Sequence, residues 1–169
     1  MIKTKEFEAF GRQYRTTQFS AARAIELMEM DIQHPLYVLE KTEVNEKGAW
    51  LLLNNEYAIN QFVYDEIGAI APRLALNGVL SIVGDFSFGF LRSWKSTRIP
   101  TRFTSGAESI ASKHMNPTLA TLTTDDMATM RELEEYYSLE DAYKMFDALV
   151  VKGINAALSQ EAATENAKR

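Results

Sequence analysis

Lys3-Thr4-Lys5-Glu6-Phe7-Glu8-Ala9-Phe10-Gly11-Arg12-Gln13-Tyr14-Arg15-Thr16-Thr17-Gln18-Phe19 is the stretch on which the fold class turns. Its first half alternates charged and apolar residues, and Gly11-Arg12 reads as a turn. The second half carries Tyr14, Thr16, Thr17 and Phe19, side chains that suit a pleated strand. Two such runs around a glycine predict a β-hairpin over residues 3–18. Lys3, Lys5, Arg12 and Arg15 are then expected on a solvent face. The remainder of the chain is mostly helical in pattern. The expected fold class is therefore α+β, an N-terminal β-hairpin followed by a predominantly α-helical body.

Moving outward from the hairpin, Ser20 is a good helix N-cap before Ala21, Ala22, Ala24, Ile25, Leu27 and Met28. That helix should end before His34-Pro35. Residues 36–44 fit either strand or helix. Glu46-Lys47-Gly48 is a turn signal, and the apolar run Ala49-Trp50-Leu51-Leu52-Leu53 is too short for its periodicity to be read. Ile59, Phe62, Val63, Glu66 and Ile67 recur at helical spacing and predict a helix over residues 56–70, interrupted by Pro72. Residues 73–83 are apolar nearly all round, which predicts a central helix. Gly84 and Gly89 leave its continuation open.

Three further caps follow. Asn116-Pro117 predicts a helix start with proline at its first position. Thr124 with Asp125-Asp126 predicts another, the acids lying where the helix dipole favours them. Ser138-Leu139-Glu140-Asp141 fits a capping box. After it Leu139, Tyr143, Phe146, Val150, Ile154 and Leu158 form one apolar stripe, which predicts a helix of about 20 residues. The expected organisation is residues 1–103 as hairpin plus helical body, 104–115 as linker around Thr104-Ser105-Gly106, 116–160 as a C-terminal helical module, and 161–169 as a flexible tail.

Composition narrows the chemistry. The 169 residues contain no cysteine, which excludes disulfides, thiolate metal sites and cysteine nucleophiles. Only His34 and His114 are available as histidine ligands or bases, and they lie 80 residues apart. The net charge of −5 argues against generic nucleic-acid binding. Residues 74–91 include Asn77, Asp85 and serines, which makes them a poor bilayer span, so no membrane partner is expected. There is no phosphate-binding loop, no dinucleotide fingerprint and no Gly-x-Ser-x-Gly elbow. No cofactor, metal or catalytic residue is expected. An enzyme would need a non-local pocket gathering Asp85, Asp65 or Glu66 with His114.

Charge is uneven along the chain. Residues 86–107 carry Arg92, Lys95, Arg98 and Arg102 and no acid. Residues 125–147 carry eight acids against Arg131 and Lys144. The two stretches are read as solvated faces of opposite sign, with docking on each other or on a charged partner as the alternative. Within or beside them Phe88, Phe90, Trp94, Arg98, Tyr136 and Tyr137 are the candidate partner-binding residues, core packing being the competing role of the phenylalanines. Met28, Met30, Met127, Met130 and Met145 are adaptable side chains of the kind that line promiscuous grooves. Core filling is the competing role for them too.

Three segments carry a family resemblance. Phe10-Gly11-Arg12-Gln13-Tyr14-Arg15-Thr16-Thr17-Gln18-Phe19-Ser20-Ala21-Ala22-Arg23 resembles the opening of tail assembly chaperones of long-tailed bacteriophages, a hairpin feeding an Ala-rich first helix. The aromatic run of residues 86–103, closed by Pro100-Thr101-Arg102-Phe103, is similar to tail proteins of the same kind. Residues 128–142, with Tyr136-Tyr137-Ser138, resemble a small helical module in the downstream part of these chaperones. The resemblance implies a non-enzymatic protein of the host cytoplasm. Such a protein binds the tape measure protein, keeps its long helices soluble and recruits tail tube subunits. Assembly into a homo-oligomer is compatible with it. The family has no shared active site, so no functional residue carries over. Many members are made as a short form and a frameshifted extension, and residues 104–106 would suit the boundary. The alternative in the same setting is a structural minor tail or baseplate component retained in the virion.

Overall fold

A computed structural model describes residues 1–30, 34–103 and 112–167. The expected hairpin forms, with β1 at Thr4–Ala9 and β2 at Arg12–Thr17 in a register running from Thr4↔Thr17 to Ala9↔Arg12. Phe10 and Gly11 close it, with φ of 55° and 76°. Two positive φ values are what a two-residue turn needs to match the twist of its strands. A second hairpin repeats this device. β3 (Thr42–Glu46) and β4 (Ala49–Leu52) flank Lys47 and Gly48, with φ of 51° and 88°. β2 pairs antiparallel with β3, giving one four-stranded sheet in the order β1-β2-β3-β4.

Between β2 and β3 the chain makes α1 (Ala21–Glu29) and α2 (Pro35–Leu39). Residues 36–44 therefore hold both a helical turn and a strand. The caps explain the starts. Ser20 Oγ accepts from Arg23 N at 3.4 Å, and His34 Nδ1 accepts from Leu36 N at 3.3 Å ahead of Pro35. His34 is thus the cap of a short helix.

Two apolar cores result. Phe7, Tyr14, Val44 and Leu51 are consecutive cross-strand partners and lie in a row across one sheet face. Leu39, Leu53, Ala58, Ile59, Val63, Val79 and Val83 pack with Tyr14 and Val44 in the first core. Residues Glu56–Phe62 (α3) and Pro72–Phe88 (α4) supply much of it. Ala75, Val79, Val83 and Ser87, four apart, are the buried stripe of α4. Gly78 on α4 receives the Phe10 ring, since a Cβ there would lie 2.5 Å from Phe10 Cζ. By length and composition alone Pro72–Arg92 is long and apolar enough to cross a membrane.

The second core joins Phe19 and α1 to α5 (Pro117–Thr124), α6 (Met130–Glu135) and α7 (Leu139–Ala167). Residues from 116 onward thus share their core with α1. Backbone bonds tie the N-terminal residues to the turn before α7. Ala21 N donates to Tyr137 O at 2.8 Å, Ile2 N donates to Tyr136 O at 2.9 Å, and Ser20 bridges Ser138. Most of the expected linker, residues 104–111, lies outside the described residues.

Several expectations are corrected. Arg12 is buried, its Nη2 2.5 Å from Glu46 Oε2 and its guanidinium 4.4 Å from the Tyr64 ring centroid. The helix over residues 56–70 stops at Phe62, because Asp65 Oδ2 accepts from Ala69 N (2.7 Å) and Ile70 N (2.9 Å) and fixes a loop instead. Gly84 does not interrupt α4, which ends in a 3-10 turn at Gly89–Arg92. Thr124-Asp125-Asp126 ends α5 rather than starting a helix. Thr123 and Thr124 hydroxyls donate to carbonyls three and four residues back, and Asp126 takes φ 54° while Met127 N closes on Leu122 O. α7 continues through Gly153 to Ala167, into the residues expected as a tail.

Candidate partner-binding surface

The 3-10 turn at the end of α4 brings Phe90 and Trp94 against α7. Phe90, Trp94 and Tyr143 form a mutual edge-to-face trio, with ring centroids 5.7–5.9 Å apart. Past Trp94 the chain runs alongside α7 and is held there by Asp147. Asp147 accepts from Thr97 N at 2.8 Å and from Thr97 Oγ1 at 3.1 Å. Between this strap and the helix lies a mainly apolar groove of about 390 Å³, bordered by Trp94, Ile99, Tyr143, Phe146 and Val150. Tyr143, Phe146 and Val150 belong to the apolar stripe that predicts α7. Of that stripe only Leu139 is fully buried, and its middle forms the groove.

The six candidate residues do not form one site. Phe88 packs on Phe19 at 6.0 Å, and with Phe90 it flanks the second core. Trp94 borders the groove. Arg98 is exposed on the strap. Tyr136 and Tyr137 stand edge-to-face at 5.0 Å at the start of α7, where Tyr137 packs on the second core and Tyr136 is half exposed and bonded to the Met1 sulfur. Of the methionines, Met28 and Met127 are exposed, while Met30, Met130 and Met145 pack against the second core. The oppositely charged stretches meet through Thr97 and Asp147 and not through an ion pair among the described residues. Arg92 pairs with Asp85 and Arg102 with Glu161 at 3.3 Å.

The carboxylates and histidine of the enzymatic alternative are dispersed. Asp65 caps its loop, Glu66 covers Gly11, Asp85 holds Arg92, and His114 lies beside Glu29 and Asn116. Among the described residues no group of three metal-ligating side chains is gathered.

The starts of α6 and α7 are electrostatically set. Asp141 Oδ2 accepts from Ser138 N (3.0 Å) and Ser138 Oγ (2.6 Å), and the Met1 ammonium is also on it. Burial raises the Asp141 pKa, but these bonds outweigh it and hold the carboxyl below its ordinary value. At α6 Thr129 and Glu132 form a reciprocal capping box, and the bonds from Thr129 lower the Glu132 pKa. Its signal in the sequence is Thr129-Met130-Arg131-Glu132, a threonine followed three residues later by a glutamate. Under the sheet, burial pushes the Tyr14 hydroxyl up to about 12 against the opposing charge of Arg12.

Comparison of the chain with protein-family models, with curated proteins and with solved structures returned no match.

Proposed function

We propose that this protein is a tail assembly chaperone of a long-tailed bacteriophage, a non-enzymatic protein that holds an amphipathic helix of the tape measure protein and helps recruit tail tube subunits. Its place of action is the host cytoplasm. The observation that carries the reading is the groove along α7. Its borders are mainly aromatic and aliphatic with Ser96, Thr97 and Thr118 among them, its one carboxylate is already hydrogen-bonded by Thr97, and it lies along a helix. A helical client with apolar residues every three or four positions fits such a site. Beyond the groove α7 exposes Val151 and Leu158, which extends the apolar track along the helix. The three segments that resemble these chaperones include the strap residues that border the groove.

The test is co-expression with fragments of a tape measure protein from the same genome. The expected result is a soluble complex that survives purification, and its loss in Ile99→Asp and Val150→Asp with an unchanged circular dichroism spectrum. A fragment that stays insoluble and unbound overturns the reading. Mass spectrometry of purified particles supplies the second arm. Stoichiometric presence there would make the protein a structural tail component instead.

A further inference from the structure

The two edges of the sheet are built differently. β1 carries Lys5, Glu6 and Glu8, charges of the kind that keep edge strands from pairing, and the chain just before it is bonded to Tyr136. β4 reads Ala49-Trp50-Leu51-Leu52, with no charge and no proline. Which of its backbone groups are free follows from the ladder. Leu53 N donates to Thr42 O at 2.8 Å, so Thr42 and Leu53 are a bonded pair. Bonded and non-bonded pairs alternate in an antiparallel ladder. Val44↔Leu51 and Glu46↔Ala49 are then also bonded pairs. Trp50 and Leu52 therefore aim their N–H and C=O groups away from β3. Among the described residues no backbone partner meets them. Both side chains lie on the sheet face opposite the first core, where Arg15 stacks 4.6 Å from the Trp50 ring centroid and Leu52 is 42% exposed.

We propose that β4 pairs antiparallel with β4 of a second copy of this chain, joining two sheets into one of eight strands. Free groups must oppose free groups. This sets Trp50 opposite Leu52 of the second copy, Leu52 opposite Trp50 of the second copy, and Leu51 opposite itself on the two-fold axis. All four outward groups of each strand are then bonded. The exposed Leu52 covers the indole of the second copy from the side that Arg15 leaves open. No like charges meet along the strand. Beyond the strand this register sets Lys47 of one copy opposite Asn55 of the other, and Glu46, whose charge is already met by Arg12, opposite Glu56. The contact is short, so the association is reversible and concentration-dependent.

The chain has no cysteine, which makes a single introduced thiol diagnostic. Residues opposed in a non-bonded pair have Cα atoms about 4.5 Å apart, and a disulfide spans that distance. In the full-length protein with oxidised glutathione, Leu51→Cys is expected to form a covalent dimer about tenfold faster than Glu6→Cys on the other edge, because the two thiols are already held together. The unsubstituted chain is expected to show a monomer–dimer equilibrium by sedimentation, and Leu52→Lys to remain monomeric with an unchanged circular dichroism spectrum. Three results overturn the proposal: a monomer at every concentration, cross-linking no faster than at position 6, or a dimer that Leu52→Lys leaves intact. None of these measurements uses a client, so the client reading stands or falls separately.

Discussion

At the first hairpin tip Phe10 and Gly11 take φ of 55° and 76°, and at the second Lys47 and Gly48 take 51° and 88°. The backbone solution is the same, but the surroundings are opposite. The first tip is docked. Phe10 lays its ring on Gly78, Glu66 lies 3.0 Å from where a Cβ of Gly11 would be, and Glu66 N donates to Phe10 O. Nothing lies within 4 Å of a Cβ built on Gly48. A non-glycine residue with positive φ is unfavourable, and at the first tip the cost is offset by tertiary contact, which clamps β1 and β2 onto α4. The second tip needs only its own strands. One turn is an anchor and the other is only a turn.

Substitutions at the anchor separate the two tips most sharply. Gly78→Val puts a branched side chain where the Phe10 ring lies, and is expected to cost about 3 kcal/mol, read as a drop in the urea midpoint. A cost under about 1 kcal/mol would mean that the ring leaves its seat freely. Asp65→Ala removes the acceptor that fixes the loop carrying Glu66. It is expected to cost about 2 kcal/mol and to raise amide exchange at Ala69 and Ile70. Gly11→Ala is expected to cost about 2 kcal/mol from strain plus crowding. Its counterpart Gly48→Ala meets only strain, about 1 kcal/mol. Equal costs for the pair would erase the distinction.

The smallest effect is a pH effect away from both tips. The Asp141 and Glu132 carboxyls titrate lower in the folded chain than their ordinary values. Their stabilisation is therefore complete above the unfolded carboxylate range, about pH 4, and is lost as pH falls through the lower, folded values. The thermal midpoint should fall in that acid window, and Asp141→Asn should flatten the fall. Acid loosening is expected at the starts of α6 and α7 while the Phe10 seat holds.

What was readable in the sequence was whatever depends on neighbours in the chain. The first hairpin, the caps at Ser20, Asn116 and Ser138, and the stripe of α7 are local patterns, and all are present. The second hairpin was half visible, because Glu46-Lys47-Gly48 marks its turn while strands of five and four residues carry too little periodicity. The misreadings arise where a side chain takes a partner that its local pattern does not name. Arg12 looks like a surface cation until Glu46, 34 positions on, folds against it. Residues 63–70 keep helical spacing, yet the buried Asp65 carboxylate is better used on two loop amides. The aromatic candidates were found by type, but Phe88, Trp94 and Tyr136 point to different places. The groove needed Phe146 and Val150, which helical periodicity alone would bury.

The core around α1 also has a consequence in time. Phe19, Ala24 and Leu27 leave the ribosome early, but the helices that cover them begin at residue 117. At about 5–20 residues per second that interval is on the order of ten seconds. During it the sheet, α3 and α4 can already assemble, since the first core needs nothing beyond Val83. The nascent chain therefore spends those seconds half finished, with one helix of its N-terminal part showing an oily side to solvent. Until its own last helix is made, this protein presents the kind of surface that generic holdases recognise.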